Sequence, residues 1–317
     1  MKIVYMGTPE FAVPALGALS QSQHKIAAVV TGEDKPSGRG KKVQPTPVRQ
    51  KAQELGLTVI TPKTLKSEEL FDELKAIQPD LIVVIAFRIL PQALFELPKY
   101  GTINIHGSLL PKYRGAAPIH WAIINGEKET GLTSFFLKKK VDTGDMILQD
   151  RIKIENDDTY DSLSQRMSEM AGPFLLKTID LIESGKVELK NQDDKQASPA
   201  PKLVAENCMV DFGFPASNVN NFIRGLSTTP GAYTYFRNQK IKLYKSRLPE
   251  NGFNSAGETG SIISDKSRLL VKCAKAAIEL LEVVPEGRKA MDGRSFVNGF
   301  RPQAGEIFGK TAKAVKG

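Results

Sequence analysis

The sequence predicts an α/β protein with two domains: a doubly wound parallel sheet comes first, and a small β-barrel follows. Three observations predict this fold class. Short apolar segments alternate with helical ones through about the first 105 residues, a polar segment follows residue 190, and five short strand-like segments occupy the last third of the chain. With 317 residues, 41% of them hydrophobic, the chain is long enough for two cores.

The predicted strands of the first domain are continuously apolar or rich in β-branched residues, which is typical of strands buried on both faces. They lie at residues 2–5, 26–31, 58–60, 81–87 and 102–105. Predicted helices separate them at residues 11–20, 47–55, 68–77 and 91–97. Thr46 and Ser67 are predicted hydroxyl caps for two of these helices. Strands joined by helices indicate parallel neighbours in one sheet.

A longer predicted helix begins near Thr159. Leu163, Met167, Met170 and Phe174 are spaced 4, 3 and 4 residues apart, so this stripe is predicted to face a core. The segment 191–202 has almost no apolar residues and contains two prolines, as linkers do. We therefore predict a first domain at residues 1–190, a linker at 191–204 and a second domain at 205–317.

The second domain begins with a predicted helix at residues 216–226. Five short strands are predicted after it, at residues 232–236, 240–245, 260–263, 268–273 and 277–284. Arg237, Asn238 and Gln239 separate the first two strands and are predicted to form a hairpin turn. Short strands at this density indicate a small barrel, of the type that binds oligonucleotides.

Composition argues against several classes of protein. The chain is too apolar and too mixed in charge for a disordered protein, and its longest apolar run, residues 81–87, is too short to span a membrane. The first residues lack the apolar stretch of a signal peptide. Cys208 and Cys273 form neither a disulfide framework nor a zinc motif. We expect a reduced, cytoplasmic protein that does not contact a membrane.

Positive charge is concentrated in the last third of the chain. From Ala205 onwards there are 17 Lys and Arg against 10 Asp and Glu, a net charge of +7, whereas the preceding 204 residues have a net charge of +2. A domain that binds a polyanion would have this balance. A solvated surface that is simply rich in lysine would have it too, and composition alone does not separate the two.

Two glycine-containing segments do not match nucleotide-binding motifs. Gly7 follows the first predicted strand, but a dinucleotide fingerprint needs three glycines there. The segment 38–42 lacks the upstream glycine and the following hydroxyl residue of a P-loop. It lies within residues 33–51, which carry six basic and two acidic side chains. An ordinary surface loop is the simpler interpretation of this basic segment when it is considered alone.

Polar residues suited to catalysis are concentrated at residues 102–147. Asn104 and His106 lie two apart on a predicted strand, so they share one face at its carboxyl end, where open α/β sheets bind ligands. An amide donor beside an imidazole suits oxyanion stabilisation and proton transfer. The turn at Asp142 can return a carboxylate to this histidine. No serine or cysteine lies in an obvious nucleophile setting, which favours direct transfer. Each residue taken singly also has an ordinary structural interpretation.

The sequence of residues 104–115, Asn-Ile-His-Gly-Ser-Leu-Leu-Pro-Lys-Tyr-Arg-Gly, followed by Asp-Thr-Gly-Asp at 142–145, resembles the formyltransferases that use 10-formyltetrahydrofolate. The resemblance covers almost the whole chain, including residues 7–12, 34–42 and 230–234. The basic segment and the second domain are most similar to those members that act on methionyl-tRNA. The resemblance implies a Rossmann-like catalytic domain followed by an OB-like domain that binds tRNA.

The resemblance also implies a reaction. The formyl group of 10-formyltetrahydrofolate passes to the α-amino group of methionyl initiator tRNA, for translation initiation, by direct attack through a tetrahedral intermediate. No metal is implied. Asn104 and protonated His106 match the family's oxyanion donors, and Asp142 matches its carboxylate, which keeps His106 charged and helps to take the amine proton.

Binding residues follow from the same resemblance. One loop that helps to bind the folate matches Ser108, Leu109, Leu110 and Pro111. The pterin pocket is matched by Phe87, Arg88, Ile89 and Leu90. The loop that enters the tRNA acceptor arm matches Arg39, Lys41 and Lys42. The basic second domain is expected to bind the tRNA backbone without reading much sequence. We expect a monomer.

Two departures from the family pattern are visible. Phe87 and Arg88 stand where many members have Tyr-Gly, and His120 and Trp121 stand where many have Gln-Arg. The chief alternative function is formyl transfer to the amine of a nucleotide-linked sugar, for which the basic segment and the +7 domain would have no use. A non-catalytic RNA-binding protein is a second alternative, and the complete set of Asn104, His106 and Asp142 argues against it.

Overall fold

The computed structural model describes residues 1–37, 42–249, 257–264, 267–303 and 305–309, and the chain divides into two compact units. The first consists of Met1–Pro118, Glu129–Lys153 and Ser164–Ala200. The second consists of Ile119–Lys128, Ile154–Leu163 and the chain from Pro201 onwards. Neither unit is continuous in sequence, and the domain limits at residues 190 and 204 stay a prediction.

Nine strands are described in the first unit. They are β1 (Lys2–Gly7), β2 (Lys25–Val30), β3 (Lys35–Ser37), β4 (Lys42–Gln44), β5 (Val59–Ile60), β6 (Leu81–Ile85), β7 (Thr102–His106), β8 (Glu129–Phe136) and β9 (Met146–Lys153). β3 and β4 pair with each other, and the rest form one sheet in the order β5-β2-β1-β6-β7-β8-β9. The first five are parallel, as predicted, and β8 and β9 extend the sheet antiparallel.

Six described helices lie between or after these strands in the chain. They are α1 (Val13–Ser20), which follows a 3-10 turn at Glu10–Ala12, α2 (Pro47–Glu54), α3 (Glu68–Ile77), α4 (Gln92–Phe95), α5 (Pro118–Ile124), which continues into the second unit, and α6 (Tyr160–Glu183), which begins there. The Thr46 and Ser67 hydroxyls accept hydrogen bonds from the first turns of α2 and α3, so both predicted caps are confirmed. None of the helices in the described ranges combines the length and apolar character that a membrane crossing requires.

The interior of the sheet is apolar, as the strand composition predicts. Residues 3–6 of β1 have no exposed surface, and β6 is buried along its whole length. In α6, Leu163, Met167 and Phe174 are buried and Met170 is half-buried, so the predicted core stripe is confirmed. The strand predicted at residues 81–87 ends earlier, at Ile85, because Ala86 has a left-handed φ of 48°. Residues 87–90 therefore lie in a loop.

The second unit contains an antiparallel sheet that curls into a half-barrel. Its strands are β10 (Ala232–Phe236), β11 (Gln239–Arg247), β12 (Ile262–Ser264), β13 (Leu269–Lys272), β14 (Ala277–Pro285) and β15 (Met291–Asp292). The order is β10-β11-β14-β13-β12, with β15 on β14. Its helices include α7 (Ala216–Leu226) and α8 (Gly293–Phe300). The predicted fold class, a Rossmann-like sheet followed by an OB-like domain, is confirmed.

The hairpin between β10 and β11 has the predicted turn. Arg237 and Asn238 both have positive φ, 48° and 62°, which is the backbone of a two-residue turn that matches strand twist.

His120 and Trp121 of α5, which depart from the family pattern, also have local partners. The His120 ring stacks on Tyr160 with centroids 3.6 Å apart, and the Trp121 indole donates to the carbonyl of Pro201. Burial lowers the pKa of His120.

Candidate active site

The candidate site lies on β7, at the carboxyl end of the parallel strands. Asn104 and His106 are two residues apart on this strand, so their side chains point to the same face. Asn104 pairs with Val84 of β6 and Phe135 of β8, and His106 is the last residue of β7. Open α/β sheets bind their ligands beyond this edge, where the loops that follow the strands provide the contacts.

The imidazole of His106 is held in one orientation. The residue is buried, with 6% of its surface exposed, and its Nε2 lies 2.8 Å from the carbonyl oxygen of Tyr113. Because a carbonyl oxygen only accepts hydrogen bonds, we assign the proton to Nε2. Nδ1 is the nitrogen left for chemistry, and it lies 3.9 Å from Oδ2 of Asp142.

Asp142 reaches His106 from the loop between β8 and β9. It is 9% exposed, and its backbone has a left-handed φ of 52°. Its Oδ2 accepts a hydrogen bond of 2.9 Å from the backbone N–H of Gly115. The loop runs so close to β8 that a Cβ at Gly144 would lie 1.6 Å from the carbonyl oxygen of Phe136, so only glycine fits at this position.

Asn104 completes the set of three predicted catalytic residues. Its side chain is half-buried, and its amide forms no hydrogen bond among the described residues. The structure thus places the Asn104 amide and Nδ1 of His106 on the same face of β7, with the Asp142 carboxylate beside the ring. Together these groups can donate hydrogen bonds to an oxyanion and accept a proton.

The predicted folate loop after β7 is held by side chains of the two antiparallel strands. Thr133 of β8 donates to the carbonyl of Ser108 (2.7 Å) and accepts from the N–H of Leu110 (3.1 Å). Gln149 of β9 donates to the carbonyl of Leu110 at 2.8 Å. The Ser108 hydroxyl donates to the carbonyl of Lys112 at 2.6 Å, so its proton is used within the loop. Leu109 and Pro111 are half-buried beside these residues.

The four residues predicted to line the pterin pocket differ widely in exposure. Leu90 is buried in the core beside α4, whereas Ile89 is 76% exposed. Arg88 donates to the carbonyls of Pro62 and Lys63, at 3.0 and 3.3 Å, and its guanidinium lies 5.2 Å from the ring centroid of Phe87. The arginine that departs from the family pattern is therefore bound to the segment after β5.

Two of the three predicted tRNA contacts, Arg39 and Lys41, lie outside the described residues. Lys42 begins β4, and only its backbone is described. Residues before and after positions 38–42 of this basic segment contact each other. Arg49 of α2 forms a 2.7 Å ion pair with Asp34, and the hydroxyls of Thr31 and Thr46 are 2.8 Å apart.

Sequence reasoning missed Gln192, whose side chain binds the Asp142 loop, and Asp194, which binds the same arginine as Gln192. Gln192 donates from Nε2 to the carbonyls of Asp142 (3.0 Å) and Gly144 (2.9 Å). Its Oε1 accepts from Nε of Arg114 at 3.0 Å, and Nη1 of Arg114 donates to Asp194 at 2.7 Å. Gln192 and Asp194 lie in the polar segment interpreted as a linker. The sequence of this segment has no local pattern that predicts such contacts.

The backbone of this polar segment also forms hydrogen bonds with the turn at residues 113–115, which contacts His106 and Asp142. Arg114 donates its N–H to the carbonyl of Ser198 and accepts from the N–H of Ala200, at 2.9 and 2.7 Å. The Ser198 hydroxyl accepts from the N–H of Tyr113. Gly115 has a φ of 126°, and a Cβ there would lie 2.6 Å from the carbonyl oxygen of Ala200. Glycine is therefore required where this turn meets residues 198–200.

Comparison with known proteins gives matches to two successive parts of the chain. Residues 1–179 match the formyl transferase family, and residues 202–301 match the formyl transferase C-terminal domain. Methionyl-tRNA formyltransferase of Porphyromonas gingivalis is 42% identical over 309 residues, which cover 95% of this chain and 96% of that protein.

Solved structures share the fold at lower identity. An N-formyltransferase from Helicobacter canadensis, solved with folinic acid and dTDP-3-aminofucose, has a TM-score of 0.67 at 21% identity and covers 88% of this chain and 98% of its own. Methionyl-tRNA formyltransferase from Clostridium thermocellum has a TM-score of 0.57 at 18% identity and covers 80% and 95%.

Proposed function

This chain belongs to the methionyl-tRNA formyltransferase family, and we propose that it transfers the formyl group of 10-formyltetrahydrofolate to the α-amino group of methionyl initiator tRNA. The observation that carries the proposal is the cluster of Asn104, His106 and Asp142 at the carboxyl end of β7. A protein that only binds RNA would have no need of such a cluster. We expect the enzyme to act in the cytoplasm, where tRNA is charged, and as a monomer.

The reaction needs a stabilised oxyanion and a path for one proton. The amine nitrogen bonds to the formyl carbon, whose oxygen takes the negative charge, and the bond from that carbon to N10 then breaks. N10 keeps the electron pair and gains a proton, while the attacking amine loses one. Asn104 donates its amide N–H to the oxyanion, and protonated His106 donates from Nδ1, the nitrogen that Tyr113 leaves free. Asp142, 3.9 Å away, stabilises the imidazolium and helps to take the amine proton.

The folate is proposed to bind beside this cluster, against the loops that follow β6 and β7. Residues 87–90 offer backbone groups and the exposed side chain of Ile89 to the pterin ring. Residues 108–111 are held by Thr133 and Gln149, so they form a preformed wall. Because the Ser108 proton is already donated within the loop, hydrogen bonds from this wall come from the backbone.

The tRNA is proposed to contact the basic segment through Arg39, Lys41 and Lys42, and the second unit through its surplus of positive charge. On the outward face of β10 and β11, Nζ of Lys240 lies 3.6 Å from the ring centroid of Tyr233, and the rings of Tyr233 and Tyr235 are 5.8 Å apart. Lysines interleaved with aromatic rings suit the backbone and unpaired bases of an RNA.

A formyl-transfer assay with three acceptors tests the proposal. Each reaction contains 10-formyltetrahydrofolate and one of methionyl initiator tRNA, methionyl elongator tRNA or a nucleotide-linked amino sugar. We expect fast transfer to the initiator tRNA alone. Transfer to the amino sugar alone would establish the alternative substrate, and transfer to none of them would overturn the proposed reaction. A His106→Ala enzyme, which should lose turnover but keep tRNA binding, is the control for contaminating activity.

A further inference from the structure

The catalytic carboxylate lies on a loop that its own strands support only in part. Residues 138–141 of this loop are exposed, and Asp142 adopts a left-handed backbone conformation. Gly144 passes against β8 too closely for any side chain. Small movements of the backbone at residues 142–144 would therefore move the Asp142 carboxylate relative to His106, from which it is now 3.9 Å distant.

Gln192 holds this part of the loop by its amide. Both hydrogen bonds to the loop, to the carbonyls of Asp142 and Gly144, leave from the same nitrogen. The orientation of the amide follows from its third contact, because the guanidinium of Arg114 only donates and so must face the amide oxygen. Arg114 thus sets which end of Gln192 meets the loop.

These contacts form a closed circuit around the candidate site. Arg114 lies between Tyr113, whose carbonyl binds His106, and Gly115, whose N–H binds the Asp142 carboxylate. Its side chain binds Gln192, which returns to the backbone of Asp142. The far end of Arg114 pairs with Asp194, and Lys140 from the loop lies 3.7 Å from the same carboxylate. The Arg114 hydrogen bond, with Lys140 nearby, lowers the pKa of Asp194.

We propose that Gln192 is a positioning residue: its amide, oriented by Arg114, sets the backbone of the Asp142 loop and thereby the distance between the Asp142 carboxylate and His106. This role rests on the proposed formyl transfer. The segment around residue 192, which has the composition of a linker, is then part of the catalytic machinery of the first unit.

The variants Gln192→Glu and Gln192→Ala separate the contact of Gln192 with Arg114 from its contacts with the Asp142 loop. Glutamate keeps an acceptor for Arg114 and removes the donors to the two loop carbonyls, whereas alanine removes both. We expect Gln192→Glu to lower kcat by about 10- to 100-fold, with little change in KM for the folate, because displacement of a catalytic group by about 1 Å has an effect of this size. If Gln192 only fastened its segment to Arg114, Gln192→Glu would keep wild-type kcat.

Gln196→Ala is the matched control, because Gln196 lies in the same segment and its amide binds only Asp193 in its own turn among the described residues. A second measurement places Gln192→Glu in an Asp142→Asn background. If Gln192 acts through Asp142, the second substitution should lower kcat further by less than about twofold.

Suppose that the wild-type enzyme transfers formyl groups. The positioning role of Gln192 would then be overturned if the losses of kcat were additive in the double variant, or if Gln192→Glu kept wild-type kcat. A wild-type enzyme that transfers none would overturn the proposed function itself, and the role of Gln192 with it. Thermal unfolding of each variant identifies any loss of kcat that comes from misfolding.

Discussion

The two ring nitrogens of His106 have different surroundings, and this difference limits what the side chain can do. Nε2 is bound to the Tyr113 carbonyl, so in the proposed reaction Nδ1 is the nitrogen that would exchange a proton and donate to the oxyanion. Nδ1 lies on the side of Asp142. In the proposed mechanism the second donor to the oxyanion is the amide of Asn104, which forms no hydrogen bond among the described residues. The two proposed donors differ in kind, because the amide is a neutral donor at any pH whereas the imidazole nitrogen donates only when it is protonated.

Replacing Asn104 by alanine tests this division. We expect kcat to fall by about 10²–10³, because one preorganised oxyanion donor is lost, while the affinity for the folate changes little. Steady-state kinetics with methionyl initiator tRNA, combined with a folate-binding titration, measures both. Asn156→Ala is the control, since Asn156 is exposed and lies in neither loop of the site. Wild-type kcat in Asn104→Ala would remove this side chain from the mechanism.

At the same scale, sequence reasoning finds some site residues and not others. The period of a strand places Asn104 and His106 on one face without any knowledge of the fold. Gln192 and Thr133 could not be found in this way. Gln192 contacts a loop 48 to 50 positions earlier, and Thr133 contacts a loop 23 to 25 positions earlier, so their roles depend on how distant segments pack.

Elements were predictable where a single local signal dominates. Helix α3 and strand β10 have the predicted bounds, because a capped amphipathic helix and an alternating strand are clear patterns. Strand β8 was missed, although it is almost wholly buried. Its Thr133 and Ser134 interrupt the apolar run, and their hydroxyls are satisfied by partners far away in sequence. Helix α8 was missed because it begins with Gly293 and contains Gly299, both poor helix formers.

The loop between β8 and β9 gives a prediction at the scale of elements. Gly144→Ala places a Cβ 1.6 Å from the Phe136 carbonyl, so the loop must move away from β8 and carry Asp142 with it. We expect a loss of kcat of about 10²-fold, comparable with the displacement of a catalytic group, together with a lower melting temperature. Transfer kinetics and a thermal melt of the same sample measure the two effects.

Gly17→Ala is the matched control for this substitution. Gly17 lies in α1, and a Cβ there meets no atom within 4 Å, so the change should leave activity intact and slightly stabilise the helix. If Gly144→Ala kept both wild-type kcat and wild-type melting temperature, the close approach of the loop to β8 would not be needed to place Asp142.

For the whole molecule, composition and alternation predicted the fold class but not its assembly. The parallel strands were visible as apolar segments, yet their order in the sheet depends on crossovers that leave no local mark. The division of residues 119–128 and 154–163 into the second unit is equally invisible, since these short segments have no linker composition at their ends. The charge imbalance was visible, but only the structure places specific lysines beside aromatic rings on β10 and β11.

The last prediction concerns how that charge is used. In β10 and β11, Tyr233 pairs with Lys242 and Tyr235 pairs with Lys240, so both lysines stand on the outward face among tyrosines. If this face binds the tRNA backbone, Lys240→Gln with Lys242→Gln should weaken binding and reduce the slope of log K against log salt by roughly 0.7–0.9 for each phosphate that is no longer neutralised. Titrations of methionyl initiator tRNA at several salt concentrations measure the slope.

Removing two positive charges also lowers the net charge from +9, so the effect of the particular surface must be separated from that of total charge. Lys177→Gln with Lys186→Gln makes the same change in net charge on exposed residues of the first unit. Weak, long-range attraction would respond equally to both pairs, because it depends on the summed field. Direct contact requires that only the Lys240 and Lys242 pair change the slope, and equal slopes for the two double variants would assign the tRNA contacts to a different surface.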